Sequence, residues 1–315
     1  MRITVILCTF NRCQSLAKAL DSIATSVMPE NTEWEVLVVD NNSSDGTRAV
    51  VEDFCRRYPG RFRYLFEPQQ GKSFALNSGI RESRGGILAF VDDDVVVEPT
   101  WLRNLTATLM TDEWAGAGGR ILPQQSFSPP RWLALHGPYD MGGVLVFFDR
   151  GEEPREFDWV PYGTNMAFRK VMFEKYGSFR SDLGPKPGSQ IRGEDTEFGR
   201  RLWAHGERLW YEPSAVVYHE VPERRLRKRY FLEWWFAFGR AIVREWGRGP
   251  DILRIPRPYF SILKILMSRM PLAAARWMFA LQPQRRFFFK AELWRIAGEV
   301  AEFFSLARSS NEASK

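Results

Sequence analysis

Along the first half of the chain, short apolar runs alternate with amphipathic stretches. Residues 3–8 (ITVILC) form an apolar, β-branched run, the pattern of a buried strand. Leu16, Leu20 and Ile23 then recur at helical spacing. A second run, 36–39, ends at Asp40, and the segment 41–47 (NNSSDGT) is a turn followed by a helix start. That helix carries Val50, Val51 and Phe54. Residues 62–66 predict a third strand, 73–81 a helix, and 87–91 a fourth strand running into Asp92, Asp93 and Asp94. Such alternation predicts an α/β fold with a mostly parallel central sheet and helices on both faces. Ligands of these sheets bind beyond the carboxyl ends of the strands. Three of the four predicted strand ends carry polar clusters there, at 9–12, 40–42 and 92–94.

The second half is less regular. A Pro- and Gly-rich stretch spans 123–161, a helix is predicted after Gly163-Thr164-Asn165, and a Gly/Pro-rich loop covers 184–188. Another helix begins near 193–197, and residues 215–218 predict a strand that ends at His219. Beyond this the chain reads as helical. The pattern divides the chain into an α/β domain, 1–223, and a helical extension, 224–315.

Charge sharpens that division. The net charge of +6 combines a balance of −6 over 1–223 with +12 over 224–315, where 19 Lys and Arg face 7 Asp and Glu. A basic, aromatic extension on an acidic body suits an anionic partner. The three cysteines, Cys8, Cys13 and Cys55, are too few and too odd for a disulfide framework and fit a reducing, cytoplasmic setting. No uncharged apolar stretch reaches the roughly 18 residues of a membrane-spanning helix.

Several residues carry candidate chemistry. Three consecutive aspartates at a strand end repel one another and must be solvated or neutralised. A divalent cation does this with hard oxygen ligands, and a solvated acidic turn does it without one. His219, one of three histidines, ends a strand where it can join carboxylates as a third ligand, a donor set leaning to Mn²⁺ over Mg²⁺. Glu194 and Asp195 open a helix, where acids commonly complement the dipole. The flexible loop before them also suits closure over a ligand, which leaves a carboxylate placed to deprotonate a bound hydroxyl. Gly71-Lys72 at a helix start suits phosphate, without the spacing of a P-loop. The first strand is followed by neither Gly-x-Gly-x-x-Gly, nor a glycine-rich pyrophosphorylase loop, nor a nucleophilic Asp. These absences argue against an oxidoreductase, a nucleotidyltransferase and a dehalogenase-type phosphatase.

Taken in order, segments 5–12 (VILCTFNR), 38–47 (VVDNNSSDGT), 71–77 (GKSFALN), 90–94 (FVDDD), 163–169 (GTNMAFR), 193–197 (GEDTE) and 211–219 resemble the family-2 glycosyltransferases. These are inverting enzymes with the GT-A nucleotide-diphospho-sugar fold. The likeness covers about the first 220 residues. It implies a metal-dependent transferase that moves a sugar from a nucleotide-sugar donor, a UDP-sugar by default, to an acceptor hydroxyl in polysaccharide, glycolipid or cell-envelope glycan synthesis. By position it implies that Thr9, Phe10, Asn11, Arg12 and Lys72 line the donor pocket and that Asp40 meets the base. Asp92 contacts ribose or metal, Asp93 sits at the variable middle of the Asp-x-Asp motif, and Asp94 and His219 hold Mn²⁺ or Mg²⁺. Asp195 is the implied catalytic base, with Glu194 beside it. The alternative is a nucleotide- or glycan-binding module that keeps the fold without the activity.

The extension lies outside that likeness. Over 224–248, Tyr230, Phe231, Trp234, Trp235, Phe238, Ile242 and Trp246 recur at near-helical spacing among arginines. Two readings follow: a helix packed through its apolar stripe, or a helix lying peripherally on the inner face of an anionic membrane. The apolar stretches 259–267 and 271–281 can extend such a surface. No recognition motif accompanies the charge, so no nucleic-acid partner is expected. Donor and acceptor identity, a saccharide or a lipid-linked one, are not written in these patterns.

Overall fold

The computed structural model describes residues 2–247 and 257–313. The chain divides into two compact units. Unit 1 comprises Met1–Ser126, Val146–Pro187 and Glu194–Glu220; unit 2 comprises Phe127–Leu145, Gly188–Gly193 and Val221–Lys315. This differs from a single cut at 223/224, because two internal segments belong with the extension.

Unit 1 is built on one sheet, in the order β3-β2-β1-β4-β8-β6-β9-β5, with β7 also on β9. Its first four members are β1 (Ile3–Thr9), β2 (Trp34–Asp40), β3 (Phe62–Phe66) and β4 (Ile87–Asp92), interleaved with α1 (Cys13–Ala24), α2 (Thr47–Arg57) and α3 (Lys72–Glu82). These four pair in parallel, as the alternation predicts. Every residue of β2 is buried, the mark of a central strand covered on both faces.

The rest of the sheet adds antiparallel pairs to this parallel core. The remaining elements of unit 1 are β5 (Val95–Val97), α4 (Trp101–Ala107), β6 (Gly116–Pro123), β7 (Arg155–Glu156), β8 (Asn165–Arg169), α5 (Lys170–Tyr176), α6 (Glu194–Ala204) and β9 (Leu209–His219). Of these strands only β6 and β9 pair in parallel; β8 is antiparallel to β4 and to β6, and β5 and β7 are antiparallel to β9. The sheet is therefore mixed. A strand, β8, stands where the sequence predicts a helix directly after Asn165, and β9 starts six residues before the predicted 215. The missed β6 reads GAGGRILP and has no β-branched signature in its first half. A Cβ on Gly119 would lie 1.9 Å from the Ala215 carbonyl oxygen, and one on Gly116 would lie 2.3 Å from the Phe168 ring. Close approach requires the glycines that conceal the strand.

Packing then fixes α6. Phe198, fully buried, stacks on Phe173 of α5 at 4.4 Å with planes 2° apart and meets Phe168 of β8 edge-on at 5.1 Å. Burying such a ring contributes roughly 2–3 kcal/mol, so the helix that starts with Glu194 and Asp195 is anchored one turn after them.

In unit 2, α7 (Lys228–Trp246) and α10 (Pro283–Ala313) are accompanied by α8 (Arg257–Lys264), a π-helical turn (Ile265–Arg269) and α9 (Met270–Met278). The backbones of α7 and α10 touch: a Cβ on Gly239 would lie 1.9 Å from Arg295 O, and one on Gly298 would lie 2.0 Å from Phe236 O. Two buried carboxylates fasten the bundle. Glu302 accepts from Arg240 Nε at 2.7 Å and Arg244 Nε at 2.6 Å. Glu299 accepts from both terminal nitrogens of Arg269, at 2.6 and 2.9 Å, and from Arg295. Segment 127–145 joins this unit through aromatic packing. Trp132 lies 5.1 Å from Phe231 and 4.3 Å from Phe287. Phe231 is fully buried and Trp234 and Trp235 are partly buried, so much of the aromatic stripe of α7 faces the bundle. Arg248, the expected end of that helix, lies outside the described residues.

Candidate active site

The strand registers assemble the polar clusters. Thr9 of β1 lies opposite Asp40 of β2, and Cys8 lies opposite Asp92 of β4, which places 9–12, 40–42 and 92–94 along one edge. The chain turns sharply there. Asn11 (φ 51°) and Asn42 (φ 66°) occupy the left-handed region, which asparagine tolerates better than most residues. Asn11 ties the two turns together: its N–H donates to Ser43 Oγ at 2.9 Å and its Oδ1 accepts from Ser44 N–H at 2.8 Å. Asp40 is buried, with Oδ1 accepting from Ser43 N–H and Oδ2 from the Tyr64 hydroxyl, both at 2.9 Å. Burial, then the bond to Asp40, pushes the Tyr64 phenol up to about 12. Phe10 beside this turn is exposed.

The three aspartates have separate partners. Asp93 is buried and accepts from Thr9 Oγ1 at 2.7 Å and Arg12 Nη1 at 3.0 Å. Burial pushes its carboxyl up to about 6, with Arg12 opposing. The same Arg12 nitrogen donates to Asp94 Oδ2 at 2.8 Å. Burial disfavours the Arg12 charge, but Asp93 and Asp94 outweigh it and raise its pKa. The other oxygen of Asp94 lies 3.4 Å from His219 Nε2. That approach comes from the antiparallel β5–β9 pair, which sets Val95 opposite His219. Asp92 accepts from Lys72 Nζ at 2.9 Å and from Thr164 Oγ1 at 2.6 Å. Burial would raise its pKa, but Lys72 prevails and holds it below the usual carboxylate range.

Lys72 links this edge to α6, its ammonium also lying 3.7 Å from Glu194 Oε1. Gly71 makes its placement possible. At φ 144°, where a Cβ would sit 2.9 Å from the Phe74 ring, Gly71 donates its N–H to Asn41 Oδ1 at 2.7 Å. The start of the Gly/Pro-rich loop and the residue before it are fastened here too: Ser73 Oγ donates to Leu183 O at 2.8 Å and Lys72 N–H to Pro185 O at 2.9 Å. Glu194 is buried, and burial followed by the Asp195 charge raises its pKa against Lys72. Asp195 is held by backbone donors: Gly163 N–H at 2.6 Å on Oδ2 and Thr196 N–H at 2.7 Å on Oδ1. A Cβ on Gly163 would come within 3.0 Å of that Oδ2.

Among the described residues, no three His, Cys, Asp or Glu side chains converge to hold a metal ion. Asp94 and His219 nevertheless offer an oxygen and an imidazole side by side, a donor pair that suits Mn²⁺ or Mg²⁺. Such ions usually keep waters and substrate phosphates as further ligands. Asp92 turns its oxygens to Lys72 and Thr164, so the arrangement brings together two of the three expected ligands. Thr164 and Tyr64 have no role in the sequence reading. Thr164 lies in a polar step just before an apolar run, a usable signal. Tyr64 carries none, because its contact depends on the β2–β3 register.

A mixed α/β sheet with an aspartate cluster at the carboxyl ends of its strands is the frame of a GT-A glycosyltransferase. Residues 4–177, more than half of the chain, match the family described as Glycosyl transferase family 2, and the chain belongs to that family. It is 31% identical over 226 residues to the succinoglycan biosynthesis protein ExoM of Rhizobium meliloti (strain 1021), covering 71% of this chain and 69% of that one. It is 25% identical over 254 residues to the glucosyl-dolichyl phosphate glucuronosyltransferase of Haloferax volcanii, covering 77% of each. A similar fold occurs in the mannosyltransferase PcManGT of Pyrobaculum calidifontis, solved with GDP-Man and Mn²⁺. The TM-score is 0.64 at 20% identity, over 96% of this chain and 87% of that one. The protein is thus a glycosyltransferase with the GT-A fold.

Proposed function

We propose that the protein transfers a glycosyl group, with inversion, from a nucleoside-diphosphate sugar to an acceptor hydroxyl in the synthesis of a polysaccharide or lipid-linked glycan. The observation that carries this reading is the sorting of carboxylates into two differently bonded sets. Asp93 and Asp94 share Arg12, whereas the Asp195 oxygens accept from the backbone N–H groups of Gly163 and Thr196. A carboxylate fixed in this way is oriented to take the proton of an acceptor hydroxyl.

In the proposed step the acceptor oxygen attacks the anomeric carbon as the bond from that carbon to the diphosphate oxygen breaks. The electron pair leaves with the nucleoside diphosphate, and the acceptor proton passes to an Asp195 oxygen. One base and one displacement give inversion. Glu194, neutralised by Lys72, supports the start of α6 beside it. Thr9, Phe10, Asn11, Arg12 and Asp40 face the nucleotide, and Lys72 with Asp92 borders the ribose and phosphates. Asp94 and His219 would hold the divalent cation, which when bound offsets charge on the departing diphosphate. ExoM is named for a polysaccharide, and the dolichyl phosphate in the Haloferax enzyme's name is a lipid carrier. Both bear on the acceptor class, and a lipid carrier would bring the protein to a membrane surface.

A thermal-shift screen of UDP, GDP and dTDP with and without Mn²⁺ tests the donor reading, because specific ligands stabilise the folded state by mass action. Stabilisation by one diphosphate that requires Mn²⁺ is expected, with UDP the default. No response to any of the three would overturn it.

A further inference from the structure

The helices between α7 and α10 are apolar on two faces. Ile262, Ile265 and Ala273 are buried and pack with Val243, Ile296 and Phe303. On their other side Leu263, Met267, Leu272, Met278, Phe279 and Leu281 are exposed, Met267 to 75%, Phe279 to 81% and Leu281 to 94%. A surface helix normally presents polar residues opposite its buried stripe. Scattered exposed hydrophobics are ordinary, but a run of them confined to one segment marks an interaction surface.

Charge identifies what that surface meets. Between residues 257 and 291 the chain has seven Lys and Arg and no Asp or Glu. Lys264, Arg276, Arg285 and Arg286 are exposed among the apolar side chains. Arg240, Arg244 and Arg295 of the flanking helices are engaged by Glu299 and Glu302, whereas the segment that carries the apolar face has no acidic residue of its own. No helix among the described residues is long and apolar enough to cross a membrane. Large apolar side chains ringed by cations, without a span, are the makings of a helix lying in a lipid interface.

We propose that α8, the π-helical turn and α9 form a docking face for an anionic bilayer, with Met267, Phe279 and Leu281 entering the acyl boundary and Lys264 and Arg276 meeting lipid phosphates. This deepens the membrane part of the proposed function and is independent of the transfer chemistry. It also narrows the contact expected over 224 to about 290, since Trp234 and Trp235 of α7 are partly covered by the bundle.

The test is co-sedimentation of the full chain with vesicles of phosphatidylglycerol and phosphatidylcholine, against vesicles of phosphatidylcholine alone. Binding is expected only to the anionic vesicles and falls as salt screens the charge. Met267→Ser with Phe279→Ser should weaken it at least tenfold. Lys264→Gln and Arg276→Gln should each weaken it by roughly fivefold, the scale of one cation at an anionic surface. Val171→Ser, at an exposed apolar position of α5 in unit 1, should leave it unchanged. Folding of each variant is checked by its melting curve and by nucleotide-induced stabilisation. Absence of wild-type binding to anionic vesicles at low salt overturns the proposal, as does equal loss in Val171→Ser. Wild-type dimers that Phe279→Ser makes monomeric, without vesicle binding, would assign the face to a second copy of the chain and also overturn it. Because transfer to a soluble acceptor is assayed separately, failure here is distinguishable from failure of the catalytic reading.

Discussion

Both units bury carboxylates, and they neutralise them differently. In unit 2, Glu299 and Glu302 are each gripped by two arginines. In unit 1, Asp92, Asp93, Asp94, Glu194 and Asp195 gather around Lys72 and Arg12 among the described residues. The first arrangement gives each carboxylate more than one cation and joins helices. The second gathers more carboxylates than cations, and on the proposed reading a divalent cation would offset that excess for an anionic diphosphate. Uncompensated charge costs stability, and proteins retain it where it performs chemistry. Exchanging the roles of the two clusters is the way to break this comparison.

The largest effect is expected at Asp195. Asp195→Asn keeps its shape and should lower kcat by about 10²–10⁴-fold, the usual worth of a general base, with nucleotide affinity close to the parent and a melting temperature lowered only by the one backbone bond that the amide nitrogen cannot accept. Steady-state transfer assays with calorimetry of UDP check this; turnover within a few-fold of the parent moves the role to Glu194. In unit 2 the reverse should hold. Glu302→Ala strands Arg240 and Arg244 and should cost about 3 kcal/mol of stability, read as a lower unfolding midpoint in urea, while kcat per folded molecule is unchanged. Loss of kcat without loss of stability would remove the distinction. Asp94→Ala comes next: Mn²⁺-dependent UDP affinity should fall tenfold or more, about 1.4 kcal/mol, and His219→Ala should reduce it less. Unchanged affinity in Asp94→Ala would detach the metal from this edge.

The asymmetry also explains what the sequence reveals. The parallel half of unit 1 is legible because β1, β2 and β4 are buried, apolar strands whose ends carry polar residues. Each signal is local. The antiparallel half is not, since β6 is concealed by glycines and β5 is three residues long. The candidate residues were all visible as residue types, but their pairings were not. Asp94 meets His219 only through the β5–β9 register, and Asp92 meets Thr164 only once β8 is placed beside β4. In unit 2, helical periodicity announces α7 but does not say which face is covered. That depends on Gly239 meeting the backbone of Arg295 and Gly298 meeting that of Phe236, more than fifty residues away in sequence.

The smallest expected effect, at Arg12, tests the comparison most finely. Its guanidinium bridges Asp93 and Asp94 and so performs on the metal edge what the arginines of unit 2 perform on Glu302. It is more exposed than most of them, at 38% of its side chain, so its hold on Asp94 is worth about 0.2–1 kcal/mol, the range of a solvent-accessible pair. A cation entering beside His219 competes for the same carboxylate. Arg12→Gln should therefore tighten Mn²⁺ binding to the nucleotide-free protein by roughly two- to fivefold, read as loss of the free-ion signal in electron paramagnetic resonance. With Mn²⁺ saturating, UDP should bind more weakly to the same variant, because the guanidinium released from Asp94 is then missing from the diphosphate. A purely structural clamp predicts something else: Arg12→Gln would loosen the edge and weaken both. Opposite signs in the two titrations identify Arg12 as a counter-ion that yields its place, and equal signs return it to the structural role that the arginines of unit 2 fill.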